Sequence, residues 1–291
     1  MRRENNQFSA PVPNGILYLV GGHEDKGDQE QEKAGATQPL EVLKAFIGLI
    51  ENEDPIVELV TTGSAEGDAS FADYKSAFDK LGLSRVGHIH HDIRSEILGD
   101  ELKNDIVERV SKADAVYFSG GDQLKLTSIY GGTRFLSTLK ERYISDRLIV
   151  GGTSAGAMAL STPMIYAGNK EVQQIAGGIK VTTGLEFLKD VCIDTHFIDR
   201  SRFVRMAQVI ASNPACIGMG IEEDTAVIVR EGRRAEVVGS GIVILIEGFG
   251  ISDSNIMDHG STEKIYIHDL NVSMLSAGCH YKIPRNNPPH W

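Results

Sequence analysis

Along the first half of the chain, short apolar runs alternate with longer amphipathic stretches. Gly15 to Val20 predicts a buried strand that stops at Gly21-Gly22, and a charged, glycine-containing loop follows over 23–36. Leu40 to Ile50 predicts a helix, and Ile56 to Thr62 a second strand ending at Gly63-Ser64. Phe71, Tyr74, Ala77, Phe78 and Leu81 recur at three- and four-residue spacing, which places them on one face of a helix. Arg85 to His90 reads as a third strand, Ile93 to Ala113 as mostly helix, and Ala115 to Phe118 as a strand ending in Gly120-Gly121. A helical stretch within 122–142 precedes the strand Leu148 to Val150.

Continuous apolar strands separated by amphipathic helices build βαβ units, with a parallel sheet covered on both faces. Ligands of open α/β sheets bind at the C-terminal strand ends. Glycine pairs at those ends let the backbone approach a ligand closely.

The second half changes period. Val191 to Asp194 reads as a short strand and Asp199 to Ser212 as a helix. Short β-type runs follow at 215–220, 225–230, 235–238, 242–246, 264–267 and 273–275. Glu231-Gly232-Arg233-Arg234 resembles a hairpin turn, with Gly232 free to take a positive φ. With no Pro/Ser-rich linker and no internal repeat, one domain over 14–291 is expected, its sheet extended by C-terminal β-strands, behind a loose tail at 1–13.

Composition narrows the partners. The 291-residue chain carries a formal net charge of -11. That argues against a nucleic-acid partner, which needs clustered cations, and leaves room for a cationic substrate, which an acidic surface would attract. Its three cysteines, Cys192, Cys216 and Cys279, are widely spaced, which favours a reducing, cytoplasmic setting. There is no signal-peptide pattern and no run of about 18 apolar residues, so no membrane span is expected.

Gly152-Thr153-Ser154-Ala155-Gly156 fits the G-x-S-x-G nucleophile elbow, in the strand-turn-helix context that this motif needs. A sharp turn exposes the hydroxyl and leaves the next backbone N–H free to bind an oxyanion. A glycine-rich turn with Ser154 as an N-cap or phosphate-loop residue would use the same residues. A serine nucleophile needs a base. His196, directly after an apolar strand, is the best candidate of nine histidines. Glu222, Glu223 and Asp224 offer an orienting acid, although a solvated turn would explain them equally. His88, His90, His91 and Asp92 could ligate zinc, but a polar strand end is the preferred reading, and neither metal nor cofactor is expected.

These motifs together resemble cyanophycinase, in the serine-peptidase family that also contains the alpha-aspartyl dipeptidases. The resemblance runs from about Gly15 to Ile283. Its markers are Gly21 to Lys26, Gly63 to Ala65, Phe118 to Leu124, Gly151 to Ala157, His196 to Arg205, Gly218 to Ala226, Ile267 to Leu270 and Leu275 to Gly278. It implies a three-layer glutamine-amidotransferase-like (flavodoxin-like) α/β sandwich with a mostly parallel central sheet. It also implies a triad of Ser154, His196 and Glu223, with an oxyanion hole from Ala155 and the Gly120-Gly121 turn. The implied substrate-binding residues are Gln123, Asp194, Thr195, Arg200, Arg202 and Arg205. The implied activity is release of β-Asp-Arg dipeptides from cyanophycin, and the implied assembly is a homodimer. Two positions depart from the family pattern: Thr195, where Gln is common, and His23, where Gly is usual. Thr195 leaves open a related peptidase acting on other aspartyl or β-aspartyl peptides. A non-catalytic binding module, a phosphate binder and a metalloenzyme built on the 88–91 histidines are the remaining alternatives.

Overall fold

The computed structural model describes residues 11–27, 39–168, 172–258, 260 and 262–284, with side chains at 100–104 set aside. The loop expected at 23–36 lies partly outside these residues, as does most of the tail expected at 1–13.

Five parallel strands form the heart of an eight-stranded sheet: β1 (Ile16–Val20), β2 (Val57–Val60), β3 (Val86–Ile89), β4 (Ala115–Phe118) and β5 (Ile149–Thr153). Their order is β1-β5-β4-β2-β3. Alternation across the pleat sends Leu17, Leu19, Val116 and Phe118 to one face, and Ile16, Tyr18, Ala115 and Tyr117 to the other. Each face has its own helical cover. Helices α1 (Glu41–Ile47) and α2 (Gly67–Lys80) bury Val42, Phe46, Tyr74 and Phe78 against Tyr18 and Tyr117. On the opposite face lie α3 (Arg94–Leu98), α4 (Asp100–Lys112), α5 (Gln123–Tyr130), α6 (Arg134–Ser145) and α7 (Ala155–Ala159).

Two predicted helices are each broken in two. The 93–113 stretch breaks at Gly99, whose φ of -64 and ψ of 140 are extended. The 122–142 stretch breaks at Gly131-Gly132, where Thr133 accepts from the Leu136 N–H and starts α6 afresh. The periodicity continued across both breaks because the paired helices share one buried face.

The C-terminal strands divide differently from expectation. The strands β12 (Thr225–Arg230), β13 (Arg234–Gly239) and β18 (His280–Lys282) extend the first sheet antiparallel from β1. Gly232 takes the positive φ expected of the β12–β13 turn. A second, six-stranded sheet runs β17-β14-β11-β10-β6-β9. Its members are β6 (Ser161–Thr162), β9 (Leu188–Lys189), β10 (Val191–Thr195), β11 (Ile217–Ile221), β14 (Val243–Glu247) and β17 (Asn271–Leu275). Two small ribbons complete the strands: β7 (Met164–Ala167) with β8 (Lys180–Thr182), and β15 (Asp253–Ser254) with β16 (Ile267–His268). Helix α8 (Phe203–Ser212) packs on the second sheet, starting four residues later than expected. Both sets contain continuously apolar strands, such as β11 and β12, so periodicity gave no sign that they belong to different sheets. Among the described residues, no helix is long and apolar enough to cross a membrane.

Strands β10 and β11 are parallel neighbours, paired from Val191 with Ile217 to Thr195 with Ile221. Their C-terminal ends open beside those of β1, β4 and β5. The loop after β1 is tied down by the carboxyl group of Glu24, which is buried. It accepts from the Tyr117 hydroxyl at 3.1 Å, the Thr153 hydroxyl at 2.7 Å and the Tyr74 hydroxyl. Burial, and then the charge of Glu24, hold both phenols far above their ordinary range, so they stay protonated and donate. Glu24→Ala would leave three buried hydroxyls without an acceptor. A loss of about 2–4 kcal/mol, and a drop in Tm of about 3–7 °C, are expected. An unchanged melting curve would contradict this role for Glu24.

Candidate active site

Strand β5 delivers Ser154 on a sharp turn into α7. The serine has φ 50 and ψ -117, a backbone conformation that non-glycine residues rarely adopt. The motif glycines make this turn sterically possible. A Cβ on Gly152 would lie 2.6 Å from the Gly156 carbonyl carbon, and one on Gly156 would lie 2.2 Å from the Phe118 oxygen. Both glycines mark backbones in direct contact.

His196 follows β10 with φ 48, and its side chain is almost wholly buried. Its Nε2 lies 2.9 Å from Ser154 Oγ, and its Nδ1 lies 2.6 Å from Glu223 Oε1. A carboxylate can only accept, so the Nδ1 proton points to Glu223 and the bare Nε2 accepts the Ser154 hydroxyl. Such a chain can draw a proton off the serine and return it to a leaving group. Burial, only partly opposed by the bond to Glu223, lowers the His196 pKa from its ordinary value of 6.5, and nearby Arg200 lowers it further. Neutral imidazole is therefore the resting form at neutral pH.

The three adjacent acids have separate tasks. Glu223 faces His196. Glu222 accepts from the N–H groups of Ile198 at 2.8 Å and Glu223 at 3.0 Å, fixing the turn after the histidine. Asp224 accepts from the Ser240 hydroxyl at 2.7 Å and the Asp25 N–H at 3.3 Å.

Beside Ser154 lies a cavity of about 280 Å³. Gln123, Arg200, Arg202 and Arg205 line it, together with Gly121 and Tyr166. Gln123 is fixed by donating to the Ile165 carbonyl at 2.8 Å. Gly120 sits next to the serine, where a Cβ would lie 3.4 Å from that of Ser154. Gly121, with φ 127, packs against the Gly63 carbonyl, 2.0 Å from where its Cβ would be.

Asp194 and Thr195, expected to contact a ligand, are both fully buried. Asp194 lies beneath the arginines. It accepts from Arg202 Nη1 at 2.8 Å, from Arg205 Nε at 2.6 Å and from Arg205 Nη2. The fork of Arg205 is thus held in a bidentate pair. The Thr195 hydroxyl is buried without a hydrogen-bond partner. Both residues belong to an entirely buried strand, so a ligand in the cavity meets the arginines above them instead. Among the described residues Arg200 is exposed and carries no ion pair.

Among the described residues, the three histidines near β3 do not gather as a ligand set for a metal ion. His88 Nε2 and His90 Nδ1 both bond the Thr61 hydroxyl, at 2.7 and 2.9 Å, while His91 Nδ1 bonds the Tyr130 hydroxyl at 3.0 Å. His88 also stacks on Phe71 with ring centroids 4.3 Å apart.

A profile described as peptidase family S51 matches residues 32–237, well over half of the chain. The chain belongs to peptidase family S51. It is 27% identical to the cyanophycinase of Geminocystis herdmanii over 94% of this chain and 95% of that protein. It is 28% identical to the cyanophycinase of Synechococcus elongatus over 95% and 81% of the two chains. In fold it is similar to the crystal structure of a peptidase from an acI-B1 Actinobacterium, with a TM-score of 0.65, 22% identity, and 94% and 98% of the two chains covered.

Within this S51 peptidase, Glu24 of the β1 loop supports the site in a way that no pattern in the sequence announced, because its partners Tyr74, Tyr117 and Thr153 lie far away along the chain. The loop contributes sterically as well: a Cβ on Gly22, whose φ is 101, would lie 2.3 Å from His196 Cε1 and 2.5 Å from Nε2. Gly22→Ala is therefore expected to push the imidazole aside and cut kcat by about 10²-fold while the protein stays folded by circular dichroism. Near-normal turnover by that variant would show that the ring does not depend on this contact. Because the His196 pKa is depressed, the base stays free until the pH falls below 6.5. The acid limb of kcat/KM should accordingly have its midpoint below pH 6.5, and a midpoint above that value would contradict a buried, neutral imidazole.

Proposed function

We propose that the protein is a serine-type exopeptidase that hydrolyses cyanophycin to β-Asp-Arg dipeptides. The observation that carries this reading is the hydrogen-bonded chain Ser154–His196–Glu223 opening onto a pocket lined with arginines. The similarity to cyanophycinases supports the substrate. The same resemblance relates the α/β architecture to the glutamine-amidotransferase-like sandwiches, and the helical layers on both faces of the parallel strands support it. It also supplies the expectations of a homodimer and of a cytoplasmic setting.

In this mechanism Ser154 Oγ attacks the scissile carbonyl while His196 Nε2 takes its proton. The developing oxyanion is met by the Ala155 N–H and by an N–H of the Gly120-Gly121 turn. His196 then protonates the leaving amine, and Glu223 stabilises the imidazolium between the two transfers. Water, activated by the same histidine, hydrolyses the acyl-enzyme. Nucleophile and proton carrier both come from the chain, so the reaction needs no cofactor. The free guanidinium of Arg200 suits a carboxylate of the aspartate backbone, and the net charge of -11 suits the arginine side chains of the polymer.

A related peptidase for other aspartyl or β-aspartyl peptides is the second reading. It rests on Thr195, which stands where Gln is common and whose hydroxyl reaches neither pocket nor partner. Incubation with insoluble cyanophycin should release β-Asp-Arg, and Ser154→Ala should lower the rate by roughly 10³-fold or more. Cleavage of small aspartyl peptides with no dipeptide from the polymer would favour the second reading. Full activity in the serine variant would remove both.

A further inference from the structure

His23 is the one residue at the catalytic constellation that the hydrolytic mechanism leaves unused. It stands in the β1 loop with φ 47, and its side chain is 66% exposed. Its Nδ1 lies 3.3 Å from Glu223 Oε1, the oxygen that also holds His196 Nδ1 at 2.6 Å. The two imidazoles meet edge to face, with centroids 5.0 Å apart. One ligand atom each from His23, His196 and Glu223 lies within 4.8 Å of the other two. Among the described residues no other group of three His, Cys, Asp or Glu side chains comes this close.

We propose that these three side chains form a binding site for a divalent transition ion of the zinc type, and that its occupation switches the hydrolase off. The donor set, two imidazoles and a carboxylate, is one that zinc takes with bonds of about 2.0–2.2 Å. Tetrahedral bonds of that length place neighbouring donors about 3.4 Å apart, close to the 3.3 Å between His23 and Glu223. His196 and Glu223 need only part slightly to admit the ion. The carboxylate offsets its charge, and Arg200, whose charge acts on His196, opposes it. The exposed face of His23 gives the ion a way in and leaves a fourth position to water.

Inhibition follows from the tautomer. A metal on His196 Nδ1 displaces that proton, and the neutral imidazole then carries its single proton on Nε2. That nitrogen can no longer accept from Ser154, and Glu223 has exchanged its hydrogen bond for a metal bond. No proton is lost overall and no bond of the chain is broken, so a chelator restores the resting state.

The test uses the full, chelator-treated chain and Zn²⁺, with affinity read by equilibrium dialysis. Partners that merely orient ligands are worth about 10–100-fold in metal affinity, so losing a ligand should cost at least about tenfold. His23→Gly should therefore bind at least about tenfold more weakly, whereas Ser154→Ala should bind as the parent does. Glycine suits the left-handed backbone at this position, and His23→Asn, which also tolerates it, serves as a second variant. Equal Zn²⁺ affinity of the parent and both His23 variants overturns the proposal. The binding measurement is independent of the peptidase reading. The inhibition arm rests on that reading: Zn²⁺ should slow the parent reversibly, and His23→Gly should need at least about tenfold more Zn²⁺ for half-inhibition of its own metal-free rate. Hydrolysis unaffected by Zn²⁺ in a chain that binds it would overturn the switch alone.

Discussion

Three consecutive carbonyl groups hold the site together. Val20 accepts from the Ser154 N–H at 3.0 Å, Gly21 from the His196 N–H at 2.9 Å, and Gly22 from the Asp224 N–H, next to Glu223, at 2.9 Å. Residues 132 positions or more away along the chain are thereby registered to one turn of backbone. Each bond is worth little by itself, but together they fix the backbone from which Ser154, His196 and Glu223 project. The Gly21 N–H completes the attachment by donating to Thr225, at the start of β12.

Holding so many chain ends in so little space imposes strain. His23, Ser154, His196 and Asp224 all adopt positive φ without being glycine. Backbone of this kind persists only where its surroundings determine it strongly. Here the buried carboxyl of Glu24 on three hydroxyls, the contact of Gly152 with Gly156 and the packing of Gly121 on Gly63 provide that surrounding. The cost of the conformations is spread over a well-packed core, and what it maintains is a hydroxyl, an imidazole and a carboxylate in line.

The sequence made the local parts of this arrangement legible and left the distant ones obscure. G-x-S-x-G pointed to Ser154 because its signal lies within five residues. Four of the five parallel strands were visible as short apolar runs, while the edge strand β3, half-buried, carries Gly87 and His88 within it. The acid was ambiguous, because Glu222, Glu223 and Asp224 are chemically alike in a row and differ only in what folds against them. Asp194 and Thr195 sat in a motif rich in binding chemistry, yet their strand is covered on both faces, and burial of that kind depends on a second sheet that period-two patterning cannot distinguish from the first. The breaks at Gly99 and Gly131-Gly132 were hidden for the opposite reason, since the apolar spacing runs on through them.

The pairing of β10 with β11 has a consequence for how the active molecule comes into being. His196 lies one residue past the end of β10 and Glu223 two residues past the end of β11, so the alignment of the two strands sets the distance between imidazole and carboxylate. A slip of one residue would shift one of them by about 3.3 Å and turn its neighbours to the opposite face. A chain that paired wrongly would still be able to bury its apolar residues, but it could not bring His196 Nδ1 to Glu223 Oε1. That one contact is thus a proofreader of strand alignment: it closes only after the second sheet has assembled in one register.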